Sequence, residues 1–187
     1  GATQSVANVP RTHHIIVLDA SLSMIAAEDG KPYDEGDGRT RFAAGLDQAE
    51  NLIQSSGDGD GFTLVVLAGG THLAVPGPSN DKAKALDELR KVKPTHAPAD
   101  TAAAVAVVAE VLSRSPRNYP RRQVTFDTDL QRSAWANVLP NLDSQPPEAW
   151  QRVFGRPDVD VVVLDVARAD PDPNLAVTGL AHADPLP

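Results

Sequence analysis

The sequence predicts an α/β fold, a doubly wound and mostly parallel sheet with helices on both faces, and three observations predict it. First, the runs His14–Leu18, Phe62–Ala68 and Val159–Val166 are apolar at nearly every consecutive position, the pattern of strands buried on both faces rather than on one. Second, segments between these runs carry apolar residues at helical spacing, and strands alternating with helices belong to parallel sheets joined by helical crossovers. Third, the 16 prolines are unevenly spread. Proline removes a backbone donor and clashes with the preceding helical turn, so proline-free windows delimit the elements.

Taken in order, the His14–Leu18 strand is followed by a helix marked by Phe42, Leu46, Ala49 and Ile53. Asp58-Gly59-Asp60-Gly61 reads as a tight turn, since the bidentate glutamate of a calcium loop is missing. Phe62–Ala68 is the second buried strand, and His72–Val75 a short third one closed by Pro76-Gly77-Pro78. Ala83, Leu86 and Leu89 outline an amphipathic helix with Ser79 or Asn80 as its cap. Thr101–Leu112 is an alanine-rich helix expected to bury most of its circumference. Gln123–Thr128 is a strand with an acid, Asp127, inside it. Leu130–Leu139 and Pro147–Phe154 read as helices, with Trp135 and Trp150 in the core, and Val159–Val166 as the last strand.

At 187 residues the chain has the size of one globular domain. It contains no cysteine, which excludes disulfides, thiolate metal sites and cysteine nucleophiles. A formal charge of −8 and an aromatic content of 4% argue against nucleic acid, whose binding needs basic surfaces and stacking platforms. The longest apolar run, Ala102 to Ala109, falls far short of the roughly 20 residues of a membrane span. No direct membrane contact by this segment is expected.

Ligands of open α/β sheets bind beyond the carboxyl ends of the strands. After the first strand comes Asp19-Ala20-Ser21-Leu22-Ser23-Met24, and after the Gln123–Thr128 strand comes Asp129. In an extended loop Asp19, Ser21 and Ser23 alternate and so converge on one side. Carboxylates and hydroxyls form an oxygen-only set suited to a hard cation, magnesium or calcium, rather than zinc or copper. The competing reading has Asp19 capping the next helix while the serines satisfy loop amides.

The segment Ile15-Ile16-Val17-Leu18-Asp19-Ala20-Ser21-Leu22-Ser23-Met24, followed at distance by Asp129, resembles the von Willebrand factor A domain and its metal-ion-dependent adhesion site, Asp-x-Ser-x-Ser. Within that family, Thr128-Asp129-Leu130-Gln131-Arg132-Ser133-Ala134-Trp135 is similar to bacterial membrane-anchored forms of the aerotolerance (Bat) type. The resemblance implies a 13–169 domain between an N-terminal extension (1–12) and a C-terminal linker or start of a further domain (170–187). It also implies a soluble fragment of a membrane-anchored bacterial parent. Asp19, Ser21, Ser23 and Asp129 would be metal ligands, with magnesium favoured over calcium or manganese, and a protein partner would supply a Glu or Asp carboxylate to the open coordination position. The middle loop departs from the pattern. Pro98-Ala99-Asp100-Thr101 aligns with Ala99 in the ligand position, leaving Asp100 as an oxygen source, or, after a short shift, with Thr101 as the ligand. The Ala99 alignment favours an alternative, a scaffolding domain with a degenerate, metal-free site.

No catalytic function is expected. The second aspartate that haloacid dehalogenase-like phosphatases need is Ser21, and neither a Gly-x-Ser-x-Gly elbow nor a phosphate-cradling Gly-x-x-x-x-Gly-Lys loop is present. His13, His14, His72, His96 and His182 show no metal-ligand spacing. The acids between Glu28 and Asp37 read as a solvated loop, and the basic group Arg114, Arg117, Arg121 and Arg122 as a solvated helix end and turn before the Gln123 strand.

Overall fold

The computed structural model describes residues 9–26, 39–130, 135 and 147–167. The expected Leu130–Leu139 helix, apart from Leu130 and Trp135, the acidic 28–37 loop, the extension up to residue 8 and the segment from 168 onward lie outside the described residues.

Five strands, β1 (Thr12–Asp19), β2 (Gly61–Leu67), β3 (Thr71–Ser79), β4 (Arg121–Thr128) and β5 (Val159–Asp165), form one sheet in the order β3-β2-β1-β4-β5. β1 pairs in parallel with β2 and β4, β4 in parallel with β5, and only β3 runs antiparallel, to β2. Helices α1 (Arg41–Ser55), α2 (Lys82–Lys91), α3 (Thr101–Arg114) and α4 (Glu148–Phe154) supply the layers. Side chains alternate across the sheet. Ile16, Leu18, Leu64 and Val66 pack with Phe42, Ile53 and Leu89 from α1 and α2. On the opposite face Ile15, Val17, Val65 and Phe126 pack with Val105, Val108 and Val153 from α3 and α4. Trp135 and Trp150 join that second layer, as expected. Leu18 and Leu89 are fully buried; truncating either to alanine costs roughly 2–5 kcal/mol.

Local chemistry sets the boundaries. The Thr40 side chain accepts the Ala43 N–H and caps α1. Gly45 lets α1 lie close to the sheet, because a Cβ there would come within 3.2 Å of Leu18 Cδ1. The turn before β2 forms as expected, with Gly59 at φ 86°. Its Asp60 carboxylate accepts the Thr12 N–H at 2.7 Å and the Gly57 N–H at 2.9 Å, and its Oδ2 lies 3.1 Å from His14 Nε2.

Three expectations need correction. β3 does not stop at Val75 but continues through Pro76-Gly77-Pro78 to Ser79. It is the outer strand of the described sheet and its pairing is bulged, so prolines without an N–H are tolerated there. α2 is capped by Asp81, not Ser79 or Asn80, and buries Ala85 and Leu89 while Ala83 is exposed. α3 buries one face only, Thr101, Ala104, Val105, Val108, Ala109 and Leu112, because a single sheet lies beneath it.

Candidate functional site

The sheet topology creates the site. β1 is followed in the chain by α1, packed on one face of the sheet, whereas the neighbouring strand β4 is followed by α4, packed on the other. Loops that diverge from adjacent parallel strands open a crevice at the strands' carboxyl ends. Asp19, the last residue of β1, and Asp129, the residue after β4, stand at that crevice.

Asp19 is 2% exposed. Its Oδ1 accepts the Ser21 N–H at 2.9 Å and its Oδ2 accepts the Thr128 hydroxyl at 3.0 Å. Burial, reinforced by the nearby negative charge of Asp129, holds the Asp19 carboxyl above its usual range, against the lowering effect of the Ser21 and Thr128 hydrogen bonds. The chain then turns through a short 3-10 helix, Leu22–Ile25, which places the Ser21 and Ser23 hydroxyl oxygens 3.4 Å apart. The extended loop expected from the alternation is therefore a 3-10 turn instead, in which the two serine hydroxyls adjoin and Asp19 holds the Ser21 main chain.

The middle loop is tied to this turn by main-chain bonds: Leu22 N–H to the Ala97 carbonyl at 2.9 Å and Thr95 N–H to the Ala20 carbonyl at 2.8 Å. Ala99 is half-buried against the α3-side core and offers no oxygen. Asp100 is exposed and caps α3 by accepting the Ala103 N–H at 3.0 Å. Thr101, the first residue of α3, is 2% exposed, and its buried hydroxyl has no hydrogen-bond partner. A buried polar atom without a partner costs roughly 1–3 kcal/mol.

Two contributors were not singled out from sequence. Thr128 positions Asp19, and Arg41 contacts Asp129. Arg41 Nη1 donates to Asp129 Oδ2 at 3.0 Å and to the Ser23 carbonyl at 3.4 Å, with the two side chains 13% and 1% exposed. An arginine at the first position of a helix opposes the helix dipole, and that misplacement was the available signal for Arg41. The rim is apolar at two points: Leu22 is 51% and Leu130 41% exposed. Leu130 sits at φ 51°, a left-handed conformation uncommon outside glycine.

Asp127 lies on the α1 face of β4, opposite Phe126 and the Thr128 side chain. It registers with Leu18 and lies against α1, its Cβ 3.8 Å from where a Gly45 Cβ would be. Neither carboxyl oxygen has a hydrogen-bond partner, and burial raises its pKa well above the usual carboxylate value. Among the described residues no group of three or more His, Asp or Glu side chains is placed to hold a metal ion. A cation at the crevice would therefore depend on hydroxyls as well as on Asp19. No described helix is long and apolar enough to cross a membrane.

Residues 14–131 match the family profile described as the von Willebrand factor type A domain. No curated protein matches the sequence. Among solved structures, protein BatB from Bacteroides thetaiotaomicron aligns with a TM-score of 0.54 and 17% identity over 81% of this chain and 65% of that one. The PilB minor pilin from Streptococcus sanguinis aligns at 0.54 with 12% identity over 66% of this chain and 31% of that one. A von Willebrand factor type A protein from Catenulispora acidiphila aligns at 0.51 with 14% identity over 82% and 32%. This chain spans less than two thirds of the length of each, and at such identities the likeness is one of fold. With the profile covering more than half of its residues, the chain belongs to the von Willebrand factor type A domain family.

Proposed function

We propose that this domain is a non-catalytic protein-binding module whose contact surface is the strand-end crevice, charged with a divalent cation, magnesium in the first instance. The observation that carries the reading is the Thr101 hydroxyl, buried without a partner on the helix whose leading loop is bonded to the Asp19 turn. An unsatisfied hydroxyl at the start of that helix, taken with the oxygens of Asp19, Ser21 and Ser23, suits a hard, oxygen-seeking ion. These four residues are the proposed holders, together with Asp129, which would bind directly or through water. Asp100, committed to capping α3, is not among them. The ion would supply an open coordination position for a Glu or Asp carboxylate of the partner. Leu22 and Leu130, exposed on either side of the acidic centre, give the partner an apolar rim to cover. The parent protein is proposed to be a membrane-anchored bacterial protein of the Bat type, a reading supported by the Thr128–Trp135 segment and by the BatB fold likeness.

A second reading, a metal-free scaffolding domain, is favoured by Ala99 in the middle loop and by the Arg41–Asp129 ion pair, which already neutralises one acid. Thermal melting separates the two. A cation bound only by the native state adds about 2.7 kcal/mol at 100 times its dissociation constant. The first reading expects melting to rise with millimolar magnesium or manganese in the wild type and not in Asp19→Ala. An unchanged melting temperature in the wild type, or an equal rise in both, supports the scaffold.

A further inference from the structure

Arg41 is a basic residue that reaches into the crevice, and nothing in its own helix explains it. It opens α1, where a positive charge is disfavoured by the helix dipole. Its guanidinium is nearly sealed from water and bonded through Nη1 to the buried Asp129 and to the Ser23 carbonyl, while its Nε is buried without a partner. It thus joins the turn carrying Ser21 and Ser23 to the loop carrying Asp129, the bridging position a cation would take.

We propose that Arg41 is a resident cation of the site: it neutralises Asp129, holds the two loops in register without metal, and competes with a divalent ion for the Asp129 carboxylate. This rests on the cation reading above and deepens it. An arginine and a divalent ion both seek the same oxygen, so loading has to proceed with Asp129 shared or released by Arg41. The consequence is a site that is ordered when empty and takes up metal more weakly than its oxygen set alone would allow. Because Arg41 already occupies Asp129 Oδ2, removing the guanidinium takes away the competing cation and its neutralising charge, so an added divalent ion gains there.

The test is calorimetric titration of magnesium and of manganese into the wild type, Arg41→Gln, Arg41→Lys, Asp129→Asn and the Arg41→Gln/Asp129→Asn double variant, with metal-free melting temperatures alongside. Arg41→Gln is expected to melt lower without metal and to bind the cation at least tenfold more tightly. Arg41→Lys, which keeps the charge and so guards against loss of the fold, should fall between. The gain should vanish in the Asp129→Asn background, an outcome that a purely structural role for Arg41 does not produce. Wild type and Arg41→Gln binding equally well, or a gain that persists without the Asp129 carboxylate, overturns the proposal while leaving the cation reading intact. No binding by any variant overturns both.

Discussion

His13 carries a prediction with a magnitude. It lies near the amino end of β1, fully buried, with Nδ1 2.8 Å from Ser115 Oγ and Nε2 2.9 Å from Thr63 Oγ1. Hydroxyls accept as readily as they donate, so these contacts do not themselves forbid an imidazolium. What opposes it is burial first, and then the electrostatic influence of the neighbouring His14 and Arg122 side chains, which together lower the pKa from 6.5 to about 4. Because the folded state resists a proton that the unfolded chain accepts, the stabilisation is complete above about pH 6.5. It is lost progressively as the pH falls toward 4. The whole shift is worth about 3 kcal/mol. The perturbation is His13→Gln, which keeps a polar side chain but cannot titrate, and the assay is urea unfolding from pH 7.5 to 4.5. Comparing the two proteins cancels the carboxylates, which titrate in both. At pH 7.5 the variant should be the less stable, through lost packing and hydrogen bonds. That deficit should shrink by about 2–3 kcal/mol on acidification. Parallel pH profiles would refute the reasoning, since His13 would then protonate as easily folded as unfolded.

Asp127→Asn should be more stable than the wild type at pH 7 to 8. Burial raises the Asp127 pKa, so the wild type loses stability as the pH rises above the unfolded-state value near 4, by at most about 1.4 kcal/mol per pH unit. The asparagine variant should lack that component, and an unchanged slope in denaturant melts would contradict it. Thr101→Val replaces an unpartnered buried hydroxyl with a methyl group of similar size. Without metal it should hold or gain roughly 1 kcal/mol, while the magnesium-dependent rise in melting temperature falls; a clear loss of metal-free stability would show that the hydroxyl is already satisfied.

The parts of the fold legible in sequence were those governed by local pattern. Buried parallel strands announce themselves as unbroken apolar runs, and β1, β2 and β5 lie within one or two residues of the expected spans. The extent of β3 was not legible, because whether proline ends a strand depends on whether its N–H side faces a neighbour, and that is a property of the sheet. The one-sided burial of α3 was hidden for a similar reason, since alanine fits both a core and a surface. At the site, Asp19, Ser21 and Ser23 are close in sequence, so their neighbourhood was legible, but the 3-10 turn that sets the two hydroxyls side by side was not. Arg41 and Asp129 are 88 residues apart, so no local pattern joins them. Only the unfavourable position of an arginine at a helix start hinted at a distant acid. Asp127 looked ambiguous for the same reason: strand alternation fixes its face only once the register with Leu18 is known.

Whether the strand-end crevice holds a divalent cation can be read from anomalous diffraction of crystals grown with manganese. An anomalous peak is expected within coordination distance of Asp19, Ser21 and Ser23, with the Thr101 hydroxyl turned toward it and the peak absent from Asp19→Ala. An ordered crevice without a peak, with Arg41 still seated on Asp129, would contradict it and leave the metal-free scaffold as the function of the site.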